Sequence, residues 1–346
     1  MKKPQHYLVT GGAGFIGANL TARLLRKGAR VTVFDNLSRS GGASNLRWLK
    51  NSAGQGKLTF VRGDLADFSA VRRAAREADC IFHLAGQVAV TTSVADPRKD
   101  FTDNALGTFN VLEAVRASGR NPIVLYSSTN KVYGGMDDVK IVERGARYEY
   151  AAMKHGISEK QPLDFHSPYG CSKGAADQYM HDYARIFNLR TVVMRQSCIY
   201  GYRQFGIEDQ GWVAWFIIAA LKGRPISIYG DGKQIRDVLF IEDLLDAYEL
   251  VVANISKTAG KAYNIGGGPR NTMSVWSEFG PMLESLLGRK LNVKFGDWRP
   301  GDQKVFVSDI RAAKKDFGWQ PKVGVRAGIT RLYKWIEANQ SLFDHL

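Results

Sequence analysis

The chain has 346 residues, of which 45% are hydrophobic and 23% are charged. This length suits one large domain or two closely packed domains, and the composition is that of an ordinary globular protein. No apolar run approaches the roughly 20 residues that cross a bilayer, and the N-terminus has no leader-like pattern, so we expect a cytoplasmic protein with no membrane partner.

The formal net charge of +15 favours anionic ligands. Because the basic residues are spread along the chain and no zinc-finger, RNA-recognition or basic-zipper pattern is present, we predict no nucleic-acid partner. The three cysteines lack Cys-x-x-Cys spacing and the six histidines form no His-x-x-x-His pair, which predicts neither a disulfide framework nor a metal site. His83 lies in an apolar run and is predicted to be a core residue.

Short β-branched runs alternate with longer helical patterns through the first half. The predicted strands are 6–10, 31–35, 58–62, 80–84, 123–127 and 191–195. The predicted helices between them are 16–27, 69–77, 104–117 and 173–187. This alternation predicts an α/β fold, a doubly wound parallel sheet with helices on both faces.

The second half is less regular. Gly/Pro-rich turns lie at 230–232, 266–269 and 299–302, and helical patterns lie at 275–287 and 325–339. We interpret this half as a smaller, partly interleaved α/β domain that binds the substrate. The predicted division is a dinucleotide-binding domain at 1–195 plus about 236–265 and a substrate domain at about 196–235 plus 266–346.

A glycine-rich loop at 10–17 follows the first predicted strand and opens the first predicted helix. Its glycines allow a tight turn, close approach of the backbone to a pyrophosphate and close helix–strand packing. Asp35 ends the second predicted strand, where a carboxylate can bind the adenosine ribose. A carboxylate repels a 2′-phosphate, so we predict NAD rather than NADP, although Arg39 nearby could accommodate that phosphate.

A tyrosine and a lysine four residues apart share one face of a helix, and an ammonium group can lower the pKa of a nearby phenol. With the positive nicotinamide ring, this makes the phenol a proton acceptor for an alcohol. A hydroxyl from Ser128 or Thr129 would hydrogen-bond the same substrate oxygen. The spacing occurs three times, at Tyr150/Lys154, Tyr169/Lys173 and Tyr229/Lys233.

The flanking sequence favours Tyr169 and Lys173. The string 167–176 leads into a long amphipathic helix, as the chemistry requires. Tyr150 is a serious rival by its distance from Thr129, but it lies in a charged, loop-like stretch. The pair beginning at Tyr229 crosses the turn at 230–232, so its side chains need not share a face.

With these motifs the chain resembles the extended short-chain dehydrogenase family, the NAD-dependent sugar-nucleotide epimerases and dehydratases. The resemblance covers nearly the whole chain and implies a Rossmann fold, an enzyme, bound NAD and a homodimer or homotetramer. Within the family, it implies an isomerase acting at C2 of the hexose in a CDP-sugar. The segments that carry this part are 84–89, 127–134, 163–173, 209–213 and 302–307, together with the long insertion between Tyr133 and Tyr169.

One feature separates the reactions of this family. The dehydratases place Asp-Glu after the catalytic threonine to eliminate water, whereas Asn130 and Lys131 follow Thr129 here. Epimerisation through a 2-keto sugar is therefore favoured over dehydration. The alternatives are another epimerase or a 4,6-dehydratase acting on a UDP-, GDP- or TDP-sugar, and a non-catalytic NAD-binding sensor, although such sensors usually lack the tyrosine or the lysine.

The residues predicted to act at the site form three groups. The catalytic residues are Thr129, Tyr169 and Lys173. Tyr169 and Lys173 also belong to the predicted cofactor-binding group, with Gly11, Gly14, Phe15, Ile16, Gly17, Asp35, Asn36, Ser38, Arg39, Asp64, Leu65, Leu84, Ala85, Gly86, Gln87, Asn104 and Ser127. Arg236 and Arg299 are predicted to hold the diphosphate, because guanidinium forks match phosphate oxygens. The other predicted substrate-binding residues are Gln87, Thr129, Asn130, Gln196, Arg203, Gln204, Val213, Tyr229 and Asp302.

Overall fold

The computed structural model describes residues 4–52, 54, 56–299 and 301–346. Pro300, which belongs to the predicted turn at 299–302, lies outside the described residues, as do residues 1–3. Among the described residues, no helix combines the length and the apolar character that a membrane span requires.

The strands of the chain are short. In chain order they are β1 (His6–Thr10), β2 (Arg30–Asp35), β3 (Lys57–Arg62), β4 (Cys80–His83), β5 (Ile123–Thr129), β6 (Ile141–Arg144), β7 (Arg147–Tyr150), β8 (Arg190–Gln196), β9 (Ile199–Tyr200), β10 (Ile226–Tyr229), β11 (Ile235–Asp237), β12 (Leu239–Phe240), β13 (Lys261–Ile265), β14 (Thr272–Ser274), β15 (Val293–Gly296) and β16 (Val305–Phe306).

The α-helices alternate with these strands in the first half. They are α1 (Phe15–Arg26), α2 (Gly42–Asn51), α3 (Phe68–Ala75), α4 (Val90–Ala95), α5 (Pro97–Phe101), α6 (Gly107–Ala117), α7 (Ser167–Phe187), α8 (Trp212–Leu221), α9 (Ile241–Ala253), α10 (Ile255–Thr258), α11 (Phe279–Leu287), α12 (Arg311–Phe317) and α13 (Val325–Ala338). A π-helical turn at Thr102–Leu106 joins α5 to α6.

The central sheet has seven strands in the order β13-β8-β5-β4-β1-β2-β3. β1 pairs in parallel with both β2 and β4, and the strand order reverses at this point. Helices cover the sheet, so the predicted doubly wound parallel fold is confirmed. In such sheets, ligands bind at the carboxyl ends of the strands beside the reversal. Thr10, Asp35, His83 and Thr129 end the strands there.

Packing divides the chain into two compact units, of which the first comprises Met1–Thr129, Ser167–Arg195 and Ala247–Tyr263. The second comprises Asn130–His166, Gln196–Asp246 and Asn264–Leu346. The second unit contains a β6–β7 hairpin, a parallel β10–β15 pair and a three-stranded sheet in the order β14-β11-β16. The predicted functional division into two domains stays a prediction; by packing, residues 130–166 lie in the second unit.

The core of the first unit contains a polar centre. His83 is fully buried, and its ring nitrogens contact the hydroxyl oxygens of Thr10 at 2.8 Å and Thr108 at 3.0 Å. Burial and, to a lesser extent, the Lys173 charge lower the pKa of His83 to about 3. The structure therefore places this histidine in the core, as the sequence predicts, and the low pKa keeps its ring neutral.

Candidate active site

The glycine loop depends on the absence of side chains. Gly11 has a φ of +66°, in the left-handed region, and a Cβ on Gly17 would lie 2.1 Å from the Gly11 carbonyl oxygen. Gly14 precedes α1, whose first turn has no side-chain cap. The half-buried Phe15 and Ile16 begin this helix, so their backbone N–H groups belong to the end that attracts phosphates.

Asp35 ties the loop to the second strand. Its carboxylate accepts the Ala13 N–H at 3.0 Å and the Leu37 N–H at 2.8 Å. Asn36 then donates to Asp64 at 2.8 Å. Burial would raise the pKa of Asp64, but hydrogen bonds from the Ala66 N–H and Asn36 hold it below the usual range. Ser38 and Arg39 follow on the exposed surface.

The segment after β4 lies against the same loop. The N–H groups of Leu84 and Ala85 both contact the Thr10 hydroxyl, at 3.1 and 3.2 Å. A Cβ on Gly11 would lie 2.8 Å from the Ala85 backbone, so the two segments touch. Gln87 was predicted to contact both cofactor and substrate. Its side chain folds back onto the Ala89 backbone, with hydrogen bonds of 2.6 and 2.9 Å.

The remaining predicted cofactor residues lie deeper. Leu65 is part of the apolar core. Asn104 lies in the π-helical turn, 2% exposed, and its Oδ1 atom has no hydrogen-bond partner within the part of the chain that the structure describes. A buried acceptor without a partner is rare and needs an explanation.

Four observations show that these residues fit NAD. Side chains at Gly11 and Gly17 would collide with neighbouring backbone atoms, so the loop can adopt this conformation only with glycine at these positions. The uncapped start of α1 suits a pyrophosphate, and the carboxylate of Asp35 suits a ribose hydroxyl. The unpaired Asn104 Oδ1 can accept a hydrogen bond from the ligand. The residues that would hold the cofactor therefore lie around the carboxyl ends of β1, β2 and β4.

Tyr169 occupies the first turn of α7. Ser167 begins the helix with a φ of +63°, and its hydroxyl accepts the Gly170 N–H at 3.3 Å. Pro168 follows, at a position where its missing N–H costs no helical hydrogen bond. The Tyr169 N–H donates to the Ser93 hydroxyl at 3.1 Å. The helix starts six residues before the predicted 173, and this added turn fixes the Tyr169 backbone.

Two hydroxyls at the end of β5, those of Ser128 and Thr129, were candidates for the group that hydrogen-bonds the substrate oxygen beside the tyrosine. Ser128 donates to Asp177 at 2.8 Å. The Thr129 side chain hydrogen-bonds Tyr169. Both Thr129 and Tyr169 are 7% exposed. The structure therefore brings Thr129 and Tyr169 together, and Ser128 belongs to the Asp177 network.

The predicted lowering of the Tyr169 pKa by Lys173 together with the positive nicotinamide ring stays a prediction. Burial raises the pKa of Tyr169 to about 12; the Asp100 charge also raises it, and the Thr129 hydrogen bond and the Arg39 charge only partly offset these effects. Lys173 contacts two groups of β5. Its Nζ donates to the Ser127 carbonyl oxygen at 2.5 Å and lies 4.3 Å from the centre of the Tyr126 ring.

Lys173 is itself strongly perturbed. Its side chain is buried, and burial lowers its pKa to about 7, against the opposing charges of Asp100 and Asp177. Buried lysines readily shift in this direction, because the uncharged amine avoids the cost of desolvation. A small change in nearby charge therefore decides whether this group is an ammonium at neutral pH.

The two rival tyrosines have structural partners. Tyr150 ends β7, so the predicted loop-like character of its surroundings is wrong. Its hydroxyl donates to the Val305 carbonyl oxygen at 3.0 Å. Tyr229 ends β10 and donates to Glu208 at 3.1 Å. Lys233, the partner of Tyr229 in the sequence pattern, forms an ion pair with Glu143 instead.

In the second unit, Arg236 and Asp302 lie together. The buried guanidinium of Arg236 contacts the Asp302 carboxylate at 2.7 Å. Lys131 approaches the same carboxylate at 3.8 Å and donates to the Gly301 carbonyl oxygen at 3.3 Å. Asn130 donates to Gln303 at 3.3 Å. The two positions that replace the acid pair of the dehydratases thus contact the segment 301–303.

A second arginine cluster surrounds Tyr229. The guanidinium carbon of Arg299 lies 4.0 Å from the centre of the Tyr229 ring, in a cation–π contact. Arg299 also pairs with Asp209 at 2.9 Å. This cluster and the Arg236 cluster hold the two arginines that the sequence predicts for a diphosphate.

The other predicted substrate residues are more dispersed in the second unit. Gln196 ends β8 and is buried, and Val213 is buried in the first turn of α8. Arg203 stacks over Trp335 at 5.6 Å. Gln204 is also buried and donates to the Ile199 carbonyl oxygen at 3.3 Å.

Several polar residues near the tyrosine carry no motif that the sequence analysis used. Ser93 holds the Tyr169 backbone, and Asp100 accepts a hydrogen bond from Ser172 at 2.5 Å. Asp177 joins Ser128 to Arg195. Asp177 lies on the buried face of α7, and a charged residue at such a position is the one signal that could have identified it from the sequence.

Comparison with known proteins agrees with this geometry. Residues 7–266 match the model of the NAD dependent epimerase/dehydratase family. The chain is 47% identical to CDP-paratose 2-epimerase of Salmonella typhi, over 95% of this chain and 98% of that one. It is 34% identical to UDP-glucose 4-epimerase of Mycolicibacterium smegmatis, over 94% and 96%. The segments quoted above were predicted to resemble the first of these enzymes, and this resemblance is confirmed.

Solved structures extend the similarity to the fold. UDP-glucuronic acid 4-epimerase from Bacillus cereus, solved with UDP-glucuronic acid and NAD, has a TM-score of 0.82 and 27% identity, covering 96% of this chain and 99% of that one. The predicted cofactor, NAD, and the predicted enzyme class, an epimerase, are confirmed. The chain belongs to the NAD dependent epimerase/dehydratase family.

Proposed function

We propose that the chain inverts C2 of the hexose in a CDP-sugar, converting CDP-paratose to CDP-tyvelose through a 2-keto sugar. The observation that carries the reaction type is the hydrogen bond between Thr129 and Tyr169, one helical turn from the buried Lys173. The substrate rests on the 47% identity to an enzyme named for this reaction. The alternative epimerases act on other nucleotides, and the relative named for a UDP-sugar is less similar, at 34%.

In this proposal the protein moves one proton and positions one hydroxyl. Tyr169 takes the proton of the C2 hydroxyl, and Thr129 orients the oxygen by its hydrogen bond. Lys173, as an ammonium, stabilises the Tyr169 phenolate that accepts this proton. Bound NAD supplies reversible hydride acceptance. Tyr169 then returns the proton after the keto sugar has presented its other face.

Epimerisation requires the keto sugar to rotate without leaving, so the nucleotide must be held more firmly than the sugar. Arg236 and Arg299 are proposed to hold the diphosphate. Both guanidinium groups are already oriented by carboxylate or aromatic neighbours, which reduces the entropy lost on binding. Asn130 and Lys131 offer no carboxylate to remove water from the sugar, and this is the feature that argues against a dehydratase.

The direct test supplies CDP-, UDP- and GDP-sugars to the purified protein and follows the configuration at C2 by NMR. We expect C2 inversion with the CDP-sugar and little turnover of the UDP- and GDP-sugars. Inversion at C4, or loss of water to a 4-keto-6-deoxy sugar, would identify one of the alternatives. Binding of NAD with no turnover of any sugar would favour the sensor.

We also propose that the protein is a homodimer or a homotetramer. Large apolar side chains are exposed along α5, the π-helical turn, α6 and α7, and Ile186 is 63% exposed. The others are Phe101, Leu106, Phe109, Tyr179 and Phe187. Monomeric proteins rarely expose so many large apolar groups together, and a second copy would cover them.

Sedimentation of the wild-type protein and of Ile186→Glu tests this assembly. We expect an oligomer for the wild type and dissociation for the variant, because a buried glutamate without a partner is costly at an interface. A monomeric wild type, or an unchanged oligomer in Ile186→Glu, would contradict the proposed surface.

A further inference from the structure

Asp100 is a buried carboxylate to which the proposed chemistry assigns no role. It lies in α5 and is 1% exposed. Carboxylates are almost never buried this fully unless another group compensates their charge. The groups around Asp100 therefore identify what it does.

Two neutral donors hold the carboxylate. The Ser172 hydroxyl donates to one oxygen at 2.5 Å, and Asn104 Nδ2 contacts the other at 3.1 Å. Asn104 Nδ2 also contacts the Ser172 oxygen at 3.0 Å, so the three side chains form a closed triangle. Ser172 lies directly before Lys173 on α7 and three residues after Tyr169. The triangle thus holds the first turn of the helix that carries both residues.

The charge of Asp100 still needs a cation, and the buried Lys173, the residue after Ser172 on α7, is the cation whose charge acts on it. Two carboxylates act on Lys173, Asp100 from α5 and Asp177 from its own helix. Asp177 is already paired, because Arg195 contacts both of its oxygens at 2.9 Å. Within the residues that the structure describes, Asp100 has no such arginine partner.

The groups of β4 and β5 that face Lys173 carry no charge. From β5, Lys173 meets the Ser127 carbonyl oxygen and the Tyr126 ring, and from β4 it faces His83, which is neutral. Asp103 also acts on Asp100, but it pairs with Lys99 at 2.9 Å.

We propose that Asp100 is the buried counter-ion of Lys173 and, through Ser172 and Asn104, a positioning residue for the Tyr169–Lys173 pair. The catalytic role of Tyr169 and Lys173 rests on the proposed function, whereas the contacts of Asp100 do not depend on that function.

The charge of Asp100 raises the pKa values of both Lys173 and Tyr169. The Asp100 charge opposes the burial that lowers the pKa of Lys173, so it favours the ammonium. The same charge raises the pKa of Tyr169, so it favours the neutral phenol. The Asp100 charge therefore favours an ammonium on Lys173 and a phenol on Tyr169, which is the state of the pair after Tyr169 has taken the substrate proton.

The test reads the ionisation of Lys173 directly. Lysine labelled with ¹³C at Cε is followed by NMR across pH in the full-length protein, and Lys173→Met assigns the resonance. In Asp100→Asn, which keeps the size and one hydrogen-bonding oxygen, we expect the midpoint of Lys173 to fall by at least one pH unit, a tenfold loss of proton affinity. Asp103→Asn, on the next helical turn, is the matched control and should leave the midpoint unchanged.

An equal midpoint in Asp100→Asn and the wild type would overturn the proposal. If Asp100→Asn does not fold, the wild-type protein is labelled at aspartate Cγ and titrated by NMR instead. The Asp100 resonance should then step at the midpoint of Lys173, and the step should vanish in Lys173→Met; an absent step overturns the proposal equally. Neither measurement uses a sugar substrate, so a shifted lysine in a protein that inverts no C2 centre would refute only the proposed function.

Discussion

The charged cluster around Lys173 in the first unit and the Arg299 pair in the second unit differ in how deeply they are buried. In the first unit, Lys173, Asp100 and Asp177 are all buried and are held by short hydrogen bonds. In the second unit, Arg299 and Asp209 form a pair whose side chains are 26% and 41% exposed. Buried charges act strongly on each other and change pKa values, whereas half-exposed arginines can exchange a carboxylate for another anion at modest cost.

Under the proposed function, the buried cluster of the first unit transfers the proton and the more exposed arginine of the second unit binds the diphosphate. Proton transfer benefits from a dry, fixed environment, in which a phenol and an amine have strongly shifted pKa values. Diphosphate binding benefits from arginines that are oriented but still reachable. Substitutions in each unit separate these two behaviours.

The largest effect is expected at Tyr169. Tyr169→Phe removes the hydroxyl that contacts Thr129 and should lower kcat about 10³-fold, the usual contribution of a general acid–base group. Steady-state rates measure this change. Tyr150→Phe is the matched control, since it removes a hydroxyl that donates to Val305. It should cost about 1 kcal/mol in the free energy of unfolding and leave kcat nearly unchanged. Loss of activity in Tyr150→Phe alone would reverse the assignment.

The next effect is expected in the second unit and in KM rather than kcat. Arg299→Ala should raise the KM for the nucleotide sugar about 10- to 100-fold, because a charge-assisted contact to the diphosphate is lost. Arg311→Ala is the control, because Arg311 also pairs with an aspartate, Asp309, and its side chain is 66% exposed. Equal rises in the two variants would mean that only the net charge of the protein matters.

A smaller effect concerns the pH dependence of stability. His83 is neutral in the fold with a pKa of about 3, whereas an unfolded histidine titrates near 6.5. The unfolded state therefore binds more protons between pH 6.5 and pH 3, and stability is lost as the pH falls through this window. From pH 6.5 to pH 5.0 the wild type should lose about 2 kcal/mol more than His83→Gln, measured by urea unfolding. Equal losses would show that this histidine is not held neutral.

The sequence predicted the first unit well because its signals are local. The glycine loop, Asp35 and the Tyr169–Lys173 spacing each lie within a few residues of a strand or helix end, and the predicted strands of the sheet agree with the observed ones to within about one or two residues. α7 was predicted to begin at 173 and begins at Ser167, because Ser167 and Pro168 start the helix with a backbone conformation that periodicity does not reveal.

The second unit could be predicted only in part because its contacts are distant in sequence. The pairing of Arg236 with Asp302 joins residues 66 positions apart, and no spacing rule indicates it. α8 was missed because it is apolar on every face, so it has no amphipathic period. The role of Asp100 was missed for a related reason. Its short helix shows no pattern, and the triangle with Asn104 and Ser172 exists only after α5 packs on α7.

The most direct test of the central claim uses a CDP-sugar that carries deuterium at C2. Direct return of the same hydride predicts that the epimer keeps the deuterium at C2 in ordinary water, with NAD bound throughout and no accumulation of NADH. Loss of the label to solvent during C2 inversion would contradict the account, as would a product changed at C4 or C6 with C2 intact.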